Sequence, residues 1–150
     1  MSDLSFHEKS AWGSLVANLV IGALYFSSIW NLWRADQLSA PILVRFAIGY
    51  TVFLVIALVV YHVVIAAVSR PEDERDRLIG WRAASIGGLV LAFSVFGLIG
   101  HLILGELFDR GVAGALSSSP LMLANALLLA VLVATVAELG SKLYFYRKGL

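Results

Sequence analysis

The sequence predicts an all-α fold, a bundle of four transmembrane helices with both termini in the cytoplasm. Three observations carry that reading. The first is that windows 10–33, 46–69, 83–105 and 111–137 hold no charged residue, although the chain has 11 Lys and Arg and 10 Asp and Glu. Each window exceeds the roughly 20 apolar helical residues that cross a bilayer core. A Lys, Arg or Asp at the centre of a spanning helix costs about 2.5–3.5 kcal/mol on insertion scales, which accounts for the exclusion. The second is composition: 60% hydrophobic and 14% charged residues, against about 45–50% and 25% in soluble domains. The windows leave no room for a folded soluble unit, so residues 1–150 read as one integral membrane domain. The third is the placement of basic residues. Lys9, Arg70, Arg75, Arg77, Arg82, Lys142, Arg147 and Lys148 lie on one side, and only Arg34, Arg45 and Arg110 on the other. By the positive-inside rule the termini and the middle connection face the cytoplasm, as in a multi-pass protein of a bacterial inner membrane.

The first helix is expected over 6–33, opened by a Ser5/Glu8 capping box. Its apolar window is longer than a signal-peptide core and ends in Trp30-Asn31-Leu32-Trp33, so it is not expected to be cleaved. A turn from Arg34 to Pro41 leads to a second helix over 42–69. Ser69 and Glu72 repeat the capping-box spacing, with Pro71 allowed in a first turn, so the third helix is expected over 70–105. It should project beyond the bilayer, with Asp73–Asp76 close to the helix 1 start and the helix 4 end, where Lys9, Lys142 and Arg147 can pair with the acids. Ser117-Ser118-Ser119-Pro120 is a cap followed by proline at a first helical position, opening a fourth helix over 120–146. Small residues at four-residue spacing mark expected packing faces, Ala84-Gly88-Ala92-Gly100 on helix 3 and Ala126-Ala130-Ala134 on helix 4. Such stripes let backbones approach closely in lipid, and would also allow a homodimer.

Composition excludes several activities. The chain has no cysteine and a net charge of +1, which leaves no thiolate metal site, no iron–sulfur cluster and no case for nucleic-acid binding. His62 and His101 fall in opposite leaflets, roughly 15–20 Å apart along the normal, too far for a bis-histidine haem. There is no nucleophile elbow, zinc-protease motif or phosphate loop. We therefore expect no catalytic residues, no metal and no cofactor, and partners limited to the lipid bilayer and other proteins.

Two residue sets remain as candidates. The first is an intramembrane polar site in the termini-side leaflet, with Asn18 and His62 at similar depth, Glu138 about one turn nearer the surface and Lys142 one turn beyond it. Polar groups inside a membrane point to function by default. Glu138 is then a proton or cation site; the plainer alternative is an ion pair with Lys142 one turn onward, with the polar set as interhelical glue. His101 and Asn125 are placed for a separate contact in the other leaflet. The second set is a charged face made of Glu8, Lys9, Asp73, Glu74, Arg75 and Asp76.

Glu8-Lys9-Ser10-Ala11-Trp12, Asp73-Glu74-Arg75-Asp76 and Lys142-Leu-Tyr-Phe-Tyr-Arg-Lys-Gly149 resemble a family of small bacterial four-helix integral membrane proteins with no assigned activity. The resemblance covers nearly the whole chain and implies a regulatory or signalling partnership. Small multidrug transporters also have four helices, but carry a glutamate deep in the first, whereas here no carboxylate stands between Glu8 and Asp36. The expected function is a non-enzymatic membrane protein with a cytosolic interaction face, serving as sensor or regulatory partner. The alternative is a small proton-coupled transporter acting as a dimer.

Overall fold

The structure is a computed structural model that describes residues 6–37, 39–66, 73–108 and 120–149, with the side chains of 62, 65, 66 and 106–108 outside that set. Four helices account for nearly all of it: α1 Phe6–Arg34, α2 Ala40–Ala66, α3 Glu74–Phe108 and α4 Pro120–Lys148. Each contains a stretch long and apolar enough to cross a membrane.

Local chemistry sets the helix ends. The Gln37 amide donates to the Leu32 carbonyl (3.0 Å) and the Asp36 amide to that of Trp33 (3.1 Å), with Asp36 at φ 54°. This pair of bonds around a left-handed residue satisfies carbonyls that the end of α1 would otherwise leave unpaired. Helix α2 starts at Ala40, ahead of the expected 42, because Pro41 fits a first turn and the Ser39 carbonyl accepts from Leu43 (3.0 Å). Helix α3 starts at Glu74 rather than 70. Its cap is Asp73, whose Oδ1 accepts from the Asp76 amide at 2.7 Å, the short-range bond that makes aspartate a good N-cap. The expected caps at Ser5, at Ser69 with Glu72, and at Ser117–Ser119 lie outside the described residues.

Burial is inverted relative to a soluble protein. Phe93 is 76% exposed, Phe96 71% and Val63 64%, whereas Asn18, Ser14, Asn125 and Glu8 are buried. A water-soluble chain buries large apolar side chains and exposes such polar ones. An apolar surface on this scale requires an apolar solvent, which agrees with the span lengths and supports a multi-pass membrane protein.

Helix α4 is the spine of the bundle. It packs most extensively on α3, then on α1, and only slightly on α2, which leans chiefly on α1. The α4 ladder faces inward, with Ala130 and Ala134 buried and Ala126 half-buried. On α3 the packing face is not the expected one. Ala84, Gly88 and Ala92 are exposed, and a Cβ on Gly88 would meet nothing within 4 Å. The face toward α4 lies one residue earlier, through Ile79 (1% exposed), Ala83 (0%) and the buried Gly87. Ile79 supplies the large side chain that anchors this register, and Gly87 the gap that lets the backbones meet. A Cβ at Gly87 would lie 2.8 Å from Glu138 Cβ and 3.3 Å from the Ala134 carbonyl oxygen.

The two adjacent glycines test this register. Gly87→Leu should overpack the α3–α4 interface and lower stability by about 1–3 kcal/mol. Gly88→Leu should stay within about 0.5 kcal/mol of wild type. Unfolding in detergent followed by circular dichroism measures both, and equal losses would mean that α3 is rotated from this position.

Candidate functional site

Three polar groupings interrupt the apolar packing. The first lies at the end of the bundle that carries both termini. The Tyr146 hydroxyl of α4 donates to Asp76 Oδ1 of α3 at 2.9 Å. His7 Nε2 of α1 lies 3.6 Å from Asp76 Oδ2, with both side chains 16% exposed. That nitrogen is buried without a hydrogen bond, so protonation of the ring would turn the approach into an ion pair. Glu8 Oε1 lies 4.0 Å from Arg147 Nε, and the Arg147 guanidinium sits 5.5 Å from the Trp12 ring centre. Asp76 and Glu8 therefore bind three helix ends together. The partners of Asp76 are His7 and Tyr146, not the lysines and Arg147 expected to pair with it. An acid pointing inward from α3 meets the first turn of α1 and the last of α4.

The rest of the expected charged face points outward. Lys9, Asp73, Glu74 and Arg75 are all exposed. The next turn of α3 adds Arg77, whose guanidinium lies 6.0 Å from the ring of Trp81, itself 69% exposed. At 35 residues, α3 is about 52 Å long, well beyond a core of about 30 Å. Its first turns can thus stand clear of the bilayer with their charges solvated.

The second grouping is the expected intramembrane set. Asn18 is buried, but its amide donates to Ser14 O of its own helix at 2.9 Å. Glu138 and Lys142 are half-buried on α4. Among the described residues no ion pair joins them, and no hydrogen bond joins Asn18 to Glu138. Glu138 is instead turned toward the gap at Gly87, where a Cβ would meet its Oε2 at 3.1 Å. The His62 side chain lies outside the described residues. His101 is exposed, and the bond expected between it and Asn125 is not among those of the described residues.

Asn125 belongs to a third grouping that the sequence did not single out. The Tyr25 hydroxyl of α1 donates to Asn125 Oδ1, and Asn125 Nδ2 donates to Leu121 O at 2.8 Å. The Tyr25 ring packs on that of Tyr50 in α2, with centroids 4.5 Å apart and planes tilted by 33°. Three helices meet here through a buried asparagine and two phenols. The available signal was a tyrosine in the interior of each of two apolar windows, since a buried phenol seeks a partner for its hydroxyl.

A double-mutant cycle on Tyr25→Phe and Asn125→Leu should give a coupling of about 0.6–1.7 kcal/mol, the range of interhelical hydrogen bonds in membranes. Additive losses in detergent unfolding would show that the two side chains act separately.

The chain matches no protein-family model, no curated protein and no solved structure, so the role of these groupings rests on their own chemistry.

Proposed function

We propose that the protein is a non-enzymatic component of a bacterial inner membrane, with both termini in the cytoplasm, and that it works through the charged face at that end. The observation that carries this reading is the division of labour along the first turn of α3. Asp76 turns inward and is held by His7 and Tyr146, while Glu74 and Arg75 beside it are exposed. An inward latch fixes the turn, and the outward charges are thereby presented in a defined arrangement with Lys9. Exposed ion pairs contribute little stability, about 0–1 kcal/mol. Their value is in partner selection, where charge pattern governs encounter and specificity. The partner is a cytosolic or membrane protein with a complementary mixed-charge patch, as a sensor or regulatory partnership requires.

One observation favours a second reading, a proton-coupled transporter acting as a dimer. Glu138 has no hydrogen bond or ion pair among the described residues, although it lies on a helix able to span a membrane. A carboxylate so placed is suited to taking up and releasing a proton.

Photo-crosslinking from position 74 in intact cells separates the two. The interaction reading expects a discrete heterologous adduct that Arg75→Glu abolishes without loss of the protein from the membrane. Recovery of the chain alone, or an adduct indifferent to the charge reversal, would count against it. The transporter reading expects pH-driven flux in proteoliposomes that Glu138→Gln eliminates; equal flux in both would dispose of it.

A further inference from the structure

Residues of α1 and α2 toward the end opposite the termini line a cavity of about 360 Å3, open along one side. That volume is within the roughly 300–1,000 Å3 typical of small-molecule sites. Its wall is mostly apolar, with Phe53 at one end, Gly49 in the middle and Arg45 at the other end. Residues 45, 49 and 53 recur every four positions, so they form a single stripe along α2. Two polar groups face this space without a partner. Arg45 makes no ion pair among the described residues. Tyr50 is 8% exposed and lines the cavity, yet its hydroxyl has no hydrogen bond among the described residues. That hydroxyl is not among the fully buried unpaired atoms, so it is reachable from the cavity, and a hydroxyl without a partner is costly in an apolar solvent.

The order of these groups along α2 is cation first, hydroxyl donor about one and a half turns deeper, and apolar wall beyond. A membrane phospholipid presents its own groups in that order from the surface inward: phosphate, ester carbonyl, acyl chain. We infer that the α1–α2 cavity is a binding site for one anionic phospholipid of the leaflet on the Arg45 side. Its phosphate is held by the Arg45 guanidinium, an ester carbonyl accepts from the Tyr50 hydroxyl, and an acyl chain runs over Gly49 to Phe53. Gly49 is what keeps the cavity open: a Cβ there would meet nothing within 4 Å, so a larger side chain would fill the space without displacing either helix.

Native mass spectrometry of the full chain, released from micelles containing equal phosphatidylglycerol and phosphatidylcholine of the same acyl chains, tests the site. Wild type should retain one phosphatidylglycerol in preference to phosphatidylcholine. Arg45→Gln should reduce that preference about tenfold, the worth of a charge-assisted hydrogen bond. Tyr50→Phe keeps the ring against Tyr25 and should weaken retention of both lipids. Gly49→Leu should abolish retention of both, with helicity and thermal transition unchanged; should that variant not fold, the Arg45 and Tyr50 variants decide the matter. Equal retention of the two lipids by wild type, or undiminished retention in Arg45→Gln, would overturn the assignment. So would displacement of phosphatidylglycerol by equimolar oleate, which would make the occupant a free fatty acid.

Discussion

The structure depends on close approach between helix backbones in a solvent that gives no hydrophobic reason for helices to associate. Lipid tails are as apolar as leucine, so packing and interhelical hydrogen bonds must supply the attraction. The chain meets this constraint in the same way at each of its three main interfaces. Gly13 receives the Tyr61 ring between α1 and α2, Gly22 receives Leu132 between α1 and α4, and Gly87 receives Glu138 between α3 and α4. Each of these interfaces also carries a tyrosine hydroxyl donating across it. Tyr61 donates to the Ser10 carbonyl (2.8 Å), Tyr25 to Asn125 and Tyr146 to Asp76. A small residue permits the approach, and a phenol, apolar in body and polar at its tip, fixes it.

What the sequence revealed and what it hid follow from the same uniformity of the apolar windows. Placing a charge in a bilayer core costs enough per residue that the spans are legible directly, and their number and order are those of the structure. Rotation of each helix about its axis is another matter. A helix that is apolar all round carries no stripe to say which side packs, so the ladder at Ala84, Gly88 and Ala92 looked as suitable as the true face at Ile79, Ala83 and Gly87. One residue of offset turns a helix by about 100°, enough to exchange inside for outside. Asn125 was visible as a polar residue, but its partner Tyr25 lies 100 positions away and no local spacing connects them. At the helix termini the short-range rule of capping held while its assignment shifted. Asp73 serves α3 because its side chain can reach the Asp76 amide from just outside the first turn.

The two ends of the bundle are built differently. At the termini end, charged and aromatic groups from α1, α3 and α4 converge, and Tyr61 ties the end of α2 to the start of α1. At the opposite end α2 is joined to α1 by the tilted rings of Tyr25 and Tyr50 and the apolar side chains of Ile21, Phe26, Ile29, Leu54 and Ala57 around them. Beside them lies the cavity that Arg45 and Gly49 line. Helix α2 has little contact with α4, so nothing in the core fills that space.

This asymmetry bears on how a signal at one end could be felt at the other. Helix α1 is common to both ends: its first turns carry His7 and Glu8 in the charged latch, and its later turns carry Tyr25 against Tyr50 and Asn125. A rigid helix is a physical connection between two sites, yet coupling also requires an element with two arrangements that both sites bias. The buried His7 Nε2 in the latch faces Asp76 without a hydrogen bond. The start of α1 is held to α3 and α4 by this latch, whereas the Tyr25 end is held to α4 by Asn125 and to α2 by ring and apolar packing.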